Sequence, residues 1–324
     1  MLCTTSEWQF LVVLKGIEPG KGIEKKCAIL KYLYAWSIGS LIFEKRRNHM
    51  HKHIELIRQD DSHIVKLSLI LPCNLIGEEV LFELGHALDT VDADPSIRVL
   101  IMESSRKHTG FGADLNELVL QRKGGELVVR DKNVVQMHIG YGRIIASRLF
   151  HLRKPVIGVI KGYCLGGIAE LFLCCDVLYG AAGGIDEGGL IYGFPEPTIG
   201  VMPGWFGPEI LIHKIGAGHA LDLLLSGRKI SGVEALQMGI VQTLYPVDEL
   251  SHRAMEWANQ VAANAPNAVM SIRLIANRAL FPDFDEVIVS TDKETAKNIE
   301  TKDFLTGVTA FFSKKKIPPE FTGE

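Results

Sequence analysis

One stretch limits the fold more than any other. The apolar, strand-like Val156 to Ile160 runs into the glycine-rich break Gly162 to Gly167, and the segment that follows, Ile168 to Cys175, is apolar at every position except Glu170. Strand, tight turn and helix in that order belong to an α/β layer, and a helix without a polar face has to be buried. The first amides of such a helix have no partner inside it, so the turn offers unpaired N–H donors to whatever lies in front.

The same alternation extends along the chain from Met50. Strands are expected at Ile54 to Arg58, Ile64 to Leu71 and Arg98 to Glu103, and Val80, Leu81, Leu84, Leu88 and Val91 recur at helical spacing between the last two. A further helix, about Asp131 to Leu149, leads through Arg153-Lys154-Pro155 into Val156. Beyond about Gly216 the pattern turns helical, with Ala220 to Leu225, Gly232 to Met238, an amphipathic Glu249 to Ala263 and a Lys-rich tail. The economical reading is an α/β core over 50–250, a helical C-terminal part over 251–324, and an extension over 1–49 outside the domain, with Met50 standing where an alternative start would.

Within that extension an apolar stretch, Ala28 to Phe43, sits between Lys25-Lys26 and Lys45-Arg46-Arg47 as a membrane segment would. It falls short of the roughly 20 residues a spanning helix needs and carries Lys31 near its middle, so no membrane association is expected. A formal charge of -3 gives no basic field for nonspecific nucleic-acid binding, which leaves a small molecule as the expected partner. Six cysteines without a CxxC pair, and no signal peptide with its small-residue exit site, point to a reducing, cytoplasmic compartment.

Three segments carry chemistry when read together: His108-Thr109-Gly110-Phe111-Gly112-Ala113-Asp114, Gly162-Tyr163-Cys164-Leu165-Gly166-Gly167-Ile168-Ala169-Glu170, and Gly193-Phe194-Pro195-Glu196 running on to Gly200 and Pro203-Gly204. Each alone is weak. Glycine is the usual punctuation residue, so Gly166-Gly167 alone reads as a tight turn, and Glu196 alone as a carboxylate on a solvated loop. Glu170 differs because its neighbours Ile168, Ala169, Leu171, Phe172 and Leu173 are all apolar. A carboxylate in such company needs a partner or a raised pKa, and a raised pKa suits proton transfer near neutrality.

In order, spacing and residue type these segments resemble the enoyl-CoA hydratase/isomerase (crotonase) superfamily, whose motifs read approximately F-x-A-G-A-D, G-x-x-x-G-G-G-x-E-L and P-E-x-x-x-G-x-x-P-G. The resemblance extends from about His53 to Phe321 and takes in Lys154-Pro155, Asp176, Gly227-Arg228, Gly239-Ile240-Val241 and Ala310-Phe311. It implies a ββα superhelix core and a helical C-terminal trimerisation region in a homotrimer or hexamer. It also implies an oxyanion hole made by the Ala113 and Gly167 amides for the thioester carbonyl of an acyl-CoA or acyl-carrier substrate. Backbone donors suit that task because they meet the developing enolate without reorganising; losing one typically costs about 10² to 10³ in rate. By the same resemblance Glu170 activates the water that attacks Cβ and Glu196 relays a proton to Cα, so the implied reaction is hydration of a 2-enoyl thioester or its reverse. Phe111, Gly112, Asp114, Gly166, Pro195, Gly204, Trp205 and Lys314 are the implied substrate-binding residues. No metal and no redox cofactor is implied; coenzyme A arrives as part of the substrate.

Departures from the pattern bear on the acyl group. Thr109 and Phe111 stand where an aromatic and a small residue are usual, and Ile168 replaces a glycine. The stretch from Asp176 to Glu196 is longer than usual and glycine-rich from Gly180 to Gly189, and Trp205-Phe206 follows Gly204 where small residues are expected. Both changes are expected at the acyl end, which argues against a simple short chain. Gly204 and Trp205 also occupy the place where dienoyl-CoA isomerases and dehalogenases of this superfamily carry an Asp. Other enolate chemistry, namely double-bond isomerisation, C–C hydrolysis or decarboxylation, stays open beside hydration, as does a noncatalytic, RNA-associated homologue.

Other signals have plainer readings. His49, His51 and His53 alternate as metal ligands sometimes do but lack a carboxylate or Cys at matched spacing, and read as a solvated tail. Gly140-Tyr141-Gly142 and Gly216-Ala217-Gly218 lack the third glycine of a dinucleotide-binding turn. Lys314 to Lys316 read as a charged tail that, by resemblance, meets the coenzyme's phosphate or adenine.

Overall fold

A computed structural model describes residues 52–59, 62–123, 126–281, 289, 292–293, 295–297 and 299–313. Its main sheet has six strands in the order β1-β2-β3-β6-β8-β11, where β1 is Ile54–Arg58, β2 Ile64–Leu69, β3 Val99–Ser104, β6 Val156–Ile160, β8 Val177–Ala181 and β11 Thr243–Tyr245. β1 pairs antiparallel with β2 and every other neighbour is parallel. Parallel strands are buried on both faces, which is why Val99–Met102 and Val156–Ile160 are continuous apolar runs.

Their side chains divide by alternation. Leu100, Met102, Val156 and Ile160 join the large core shared with the helices α1 (Glu78–Ala93), α3 (Lys132–Phe150) and α4 (Gly167–Leu173). Val99, Ile101, Ile157 and Val159 face the other way, onto α7 (Leu250–Ala262), whose Ala254, Ala258 and Ala262 repeat every fourth residue and let that helix lie close on the sheet.

A second sheet carries the site. Its order is β10-β9-β7, with β7 at Tyr163–Leu165, β9 at Ile191–Gly193 and β10 at Lys229–Ser231. Sequence periodicity misses these strands because three residues complete barely one alternation. Successive strand–short strand–helix units, such as β6-β7-α4, give the ββα superhelix expected from the resemblance. A hairpin of β4 (Leu120–Lys123) and β5 (Glu126–Val129) follows the short helix α2 (Leu115–Leu118) and was likewise not legible.

Most elements lie where the periodicity places them. The helix expected from Ala220 is longer: α5 spans Gly207–Ser226 with non-helical backbone at Gly216, and α6 is Gly232–Met238. Two more helices, α8 (Pro266–Leu280) and α9 (Lys302–Phe312), complete the C-terminal part. Buried Arg273 of α8 donates to Asp176 Oδ2 at 2.7 Å and to the carbonyls of Leu149, Phe150 and Leu152, capping the C-terminal end of α3 with a cation where the helix dipole favours one. Buried Lys154 does the same for the Val91 and Asp94 carbonyls at the end of α1.

His53 is not a solvated tail: it enters β1, and its N–H donates to the buried carboxylate of Glu83 at 2.9 Å. Among the described residues no helix is long and apolar enough to cross a membrane. The stretch Ala28 to Phe43, with His49 and His51, lies outside the described residues.

Candidate active site

The first turn of the site comes from the chain after β3. Residues 110–114 run parallel to two neighbours, with Gly110 bridging Cys164 and Ala113 bridging Ile76. In the second bridge Ile76 donates to Gly112 O at 2.9 Å and accepts from Asp114 N at 2.8 Å. Ala113's own N–H therefore points away from Ile76, and it donates no hydrogen bond to a described residue.

The second turn leads from β7 into α4. Gly166 has φ +58 and ψ -139, a region open essentially to glycine alone, and this bend turns the chain so that Gly167 starts the helix. Gly166 N donates to Gly193 O at 3.0 Å, whereas the Gly167 amide, at the first helical position, donates to no described residue. The two turns touch: a Cβ built on Gly112, whose φ is +103, would lie 3.3 Å from Gly167 N and 3.1 Å from Leu165 O.

Glu170 sits on the buried face of α4 with 2% of its surface exposed. Three amides from one loop converge on its carboxylate: Gly204 N reaches Oε1 at 3.2 Å, and Trp205 N and Gly207 N each reach Oε2 at 2.7 Å. Phe206 makes this possible by adopting φ +78, which is unusual for a bulky residue and turns successive N–H groups inward. Burial pushes the Glu170 carboxyl up to about 7, against the pull of the Gly207 and Trp205 hydrogen bonds.

Glu196 opens the 3-10 turn Glu196–Ile199, right after β9 and Pro195. Its carboxylate lies on the Gly166 turn, with Oε1 3.0 Å from where a Cβ on Gly166 would be. Its Oε2 is buried and has no hydrogen-bond partner among the described residues. Burial holds this carboxyl well above the usual carboxylate range, and the neighbouring Glu170 charge adds to the push. Two amides that donate to no described residue, the buried Glu170 carboxylate and the Glu196 carboxylate, with its buried Oε2 unpartnered among the described residues, thus cluster around Gly112, Gly166 and Gly167.

The profile of the family described as "Enoyl-CoA hydratase/isomerase" matches residues 60–324. The chain belongs to the enoyl-CoA hydratase/isomerase family.

Relatives of this hydratase/isomerase family member include a probable enoyl-CoA hydratase of Mycobacterium bovis, 30% identical over 259 residues that cover 80% of this chain and 93% of that protein. A short-chain-enoyl-CoA hydratase of Clostridium acetobutylicum is 28% identical, covering 75% of this chain and 88% of the relative. The crystal structure of an enoyl-CoA hydratase from Bacillus anthracis is 31% identical, with a TM-score of 0.64 over 84% of this chain and 100% of that one. The crotonase fold follows from these matches together with the ββα order.

Of the residues singled out in the sequence, Ala113, Gly167, Glu170, Glu196, Gly112, Gly166, Gly204 and Trp205 are brought together. Asp114 has a structural task, capping α2 by accepting from Asn116 N at 3.0 Å. Phe111 is 39% exposed and forms a cluster with His108 and Tyr163, ring centroids 5.2 to 5.5 Å apart. Lys314 lies outside the described residues.

The two departures pack against different residues. The glycine-rich segment packs on other ground: Gly188 O accepts from Gly162 N at 2.8 Å, and a Cβ on Gly188 would contact Val247. Trp205 instead rests against Gly142 and Gly167.

Sequence reasoning missed two contributors. Gly207 is required because any side chain there would overlap the Glu170 carboxylate, 2.8 Å from an added Cβ. Arg143, 3% exposed, donates from Nε to Gly204 O at 2.8 Å and from Nη2 to Thr295 Oγ1 at 3.1 Å, and pairs with Asp292. Nothing in the spacing around Arg143, whose helix-face neighbours include Gln136, Ile139, Gly140 and Ser147, marks it out in the sequence.

Proposed function

We propose that this chain is an enoyl-CoA hydratase, adding water across the Cα–Cβ double bond of a 2-enoyl thioester or removing it. The observation that carries the reading is the pair of buried carboxyls beside two unpaired amides. The Ala113 and Gly167 N–H groups receive the thioester carbonyl oxygen as it takes up enolate charge. Glu170 and Glu196 divide the protons, and their surroundings assign the roles. Three N–H donors favour the ionised form of Glu170, so it is the base; of the roughly four lone-pair directions of a carboxylate one remains for the attacking water. Glu196 has no donor on Oε2 and feels the Glu170 charge, so it holds the proton that goes to Cα. Water attacks Cβ as its proton passes to Glu170, which gives the enolate directly; Glu196 then protonates Cα, and return of a proton from Glu170 to Glu196 by way of solvent restores the starting pair.

The test is turnover of crotonyl-CoA, followed by loss of the conjugated-thioester absorbance and by product analysis. Formation of the 3-hydroxyacyl thioester supports the reading; a shifted double bond or a cleaved thioester with no hydroxyacyl product overturns it.

We also infer self-association through the C-terminal helices. Ile272, Leu274 and Ile275 of α8 and Leu305 and Phe311 of α9 are all about half exposed or more, far more apolar surface than two helices of a monomer ordinarily leave in water.

A further inference from the structure

We propose that Trp205 closes the far end of the acyl channel and restricts this enzyme to compact enoyl groups of about crotonyl size, a specificity that rests on the hydratase reading above. Trp205 is only 3% exposed, and its indole bridges two helices. The six-membered-ring edge lies on Gly167, where an added Cβ would stand 2.7 Å from Cζ3 and 2.8 Å from Cε3. The pyrrole side lies on Gly142 of α3, where an added Cβ would fall inside the ring at Cε2, Nε1 and Cζ2. Glycine in a helix interior weakens the helix, so Gly142 needs a reason to be there, and the indole supplies one. Trp205 and Gly142 are a matched pair.

The chemistry fixes which part of the substrate meets the indole. The carbonyl oxygen sits at the Gly167 amide, and Cα and Cβ must lie against the two carboxyls. Trp205 N donates to Glu170, so the indole begins at the edge of the group that serves Cβ. The next carbons of the acyl group, continuing away from the thioester, run into the indole that covers Gly167. The notch behind the ring, over Gly142, is already filled by the ring itself, so a longer chain has no room without moving it. The sequence alone argues against a simple short chain; the position of the indole points instead to a compact acyl group.

The experiment measures kcat/KM for trans-2-enoyl-CoA esters of four, six and ten carbons, with wild type, Trp205→Ala, Trp205→Phe and Gly142→Ala. In wild type the ten-carbon ester should fall below the four-carbon ester by about 10- to 200-fold, the range that a blocked apolar pocket gives. Trp205→Ala should narrow that ratio by about tenfold or more, Trp205→Phe should lie between, and Gly142→Ala, which pushes the indole into the channel, should depress the four-carbon ester too. If a variant fails to fold, the wild-type profile and the remaining variants still decide. A flat wild-type profile, or a ratio unchanged in Trp205→Ala, overturns the proposal while leaving hydration intact. No hydration at any length overturns the hydratase reading, and this proposal with it.

Discussion

Arg143 grips Gly204 by its carbonyl, Nε to O at 2.8 Å, while the N–H of the same glycine reaches Glu170 Oε1 at 3.2 Å. A buried cation on α3 therefore sets the position of the loop that holds Glu170, and its charge favours ionised Glu170. Removing it should loosen both. Arg143→Met is expected to lower kcat/KM and to move the acid limb of its pH profile upward, because Glu170 then holds its proton to higher pH. Arg143→Lys should restore part of the profile. An unmoved limb in Arg143→Met would show that the guanidinium only packs. The substitution should also destabilise by about 3–5 kcal/mol, since it leaves Asp292 without its buried partner.

Amide replacements separate the two carboxyls. Glu170→Gln and Glu196→Gln should each reduce kcat on crotonyl-CoA by about 10² to 10⁴, the usual worth of a positioned acid or base, with KM changing little. Full activity in both variants would end the assignment of either as a proton carrier.

Stability should carry the mark of Glu196. Its folded-state carboxyl holds its proton well above the ordinary value of 4.5, so the native state binds a proton that the unfolded chain has already released. Such a group stabilises the fold in acid, and that contribution fades as pH rises from about 4.5 through the raised folded value. Glu196→Gln removes the fading term. Its melting temperature should exceed that of wild type above neutrality, with the gap closing toward pH 5; for a chain of this size each kcal/mol shows as roughly 2–4 °C. A gap that is constant with pH would place the effect elsewhere.

The oxyanion turns can be pried apart from one side. Gly112→Ala puts a methyl 3.1 Å from Leu165 O and 3.3 Å from Gly167 N, at a φ of +103 that alanine resists. Displacing an amide from the developing enolate should cost about 10² to 10³ in kcat. Thioester binding measured by calorimetry should weaken far less than turnover.

Ile272→Asp together with Ile275→Asp should shift the mass seen by light scattering to that of one chain, because both residues stand 63–70% exposed on α8. A wild-type protein that is already monomeric at micromolar concentration would remove the inference of self-association.

Legibility followed the physics of each signal. An amphipathic helix such as α1 repeats its period over several turns, and β6 is legible as a short, continuous apolar run bounded by breaks. The three-residue strands β7, β9 and β10 have no period to read. Glu170 could be recognised because a charge in an apolar helix is conspicuous, and Glu196 only through the motif that contains it. Arg143 and Gly207 escaped because their importance lies in a loop folding back across α4, and spacing along the chain does not encode that contact. Trp205 stands out in the sequence for its size, but the glycine that accommodates it lies more than sixty residues earlier.

The single hydrogen bond from Gly166 N to Gly193 O, within the parallel pairing of β7 and β9, couples the neighbour of one oxyanion amide to the strand that delivers Glu196. The amide proposed to receive the carbonyl and the carboxyl proposed to protonate Cα thus hang on neighbouring, paired strands. With those proposed roles, a change that shifts β9 should disturb both steps together, while the loop that holds Glu170 comes from a different part of the chain.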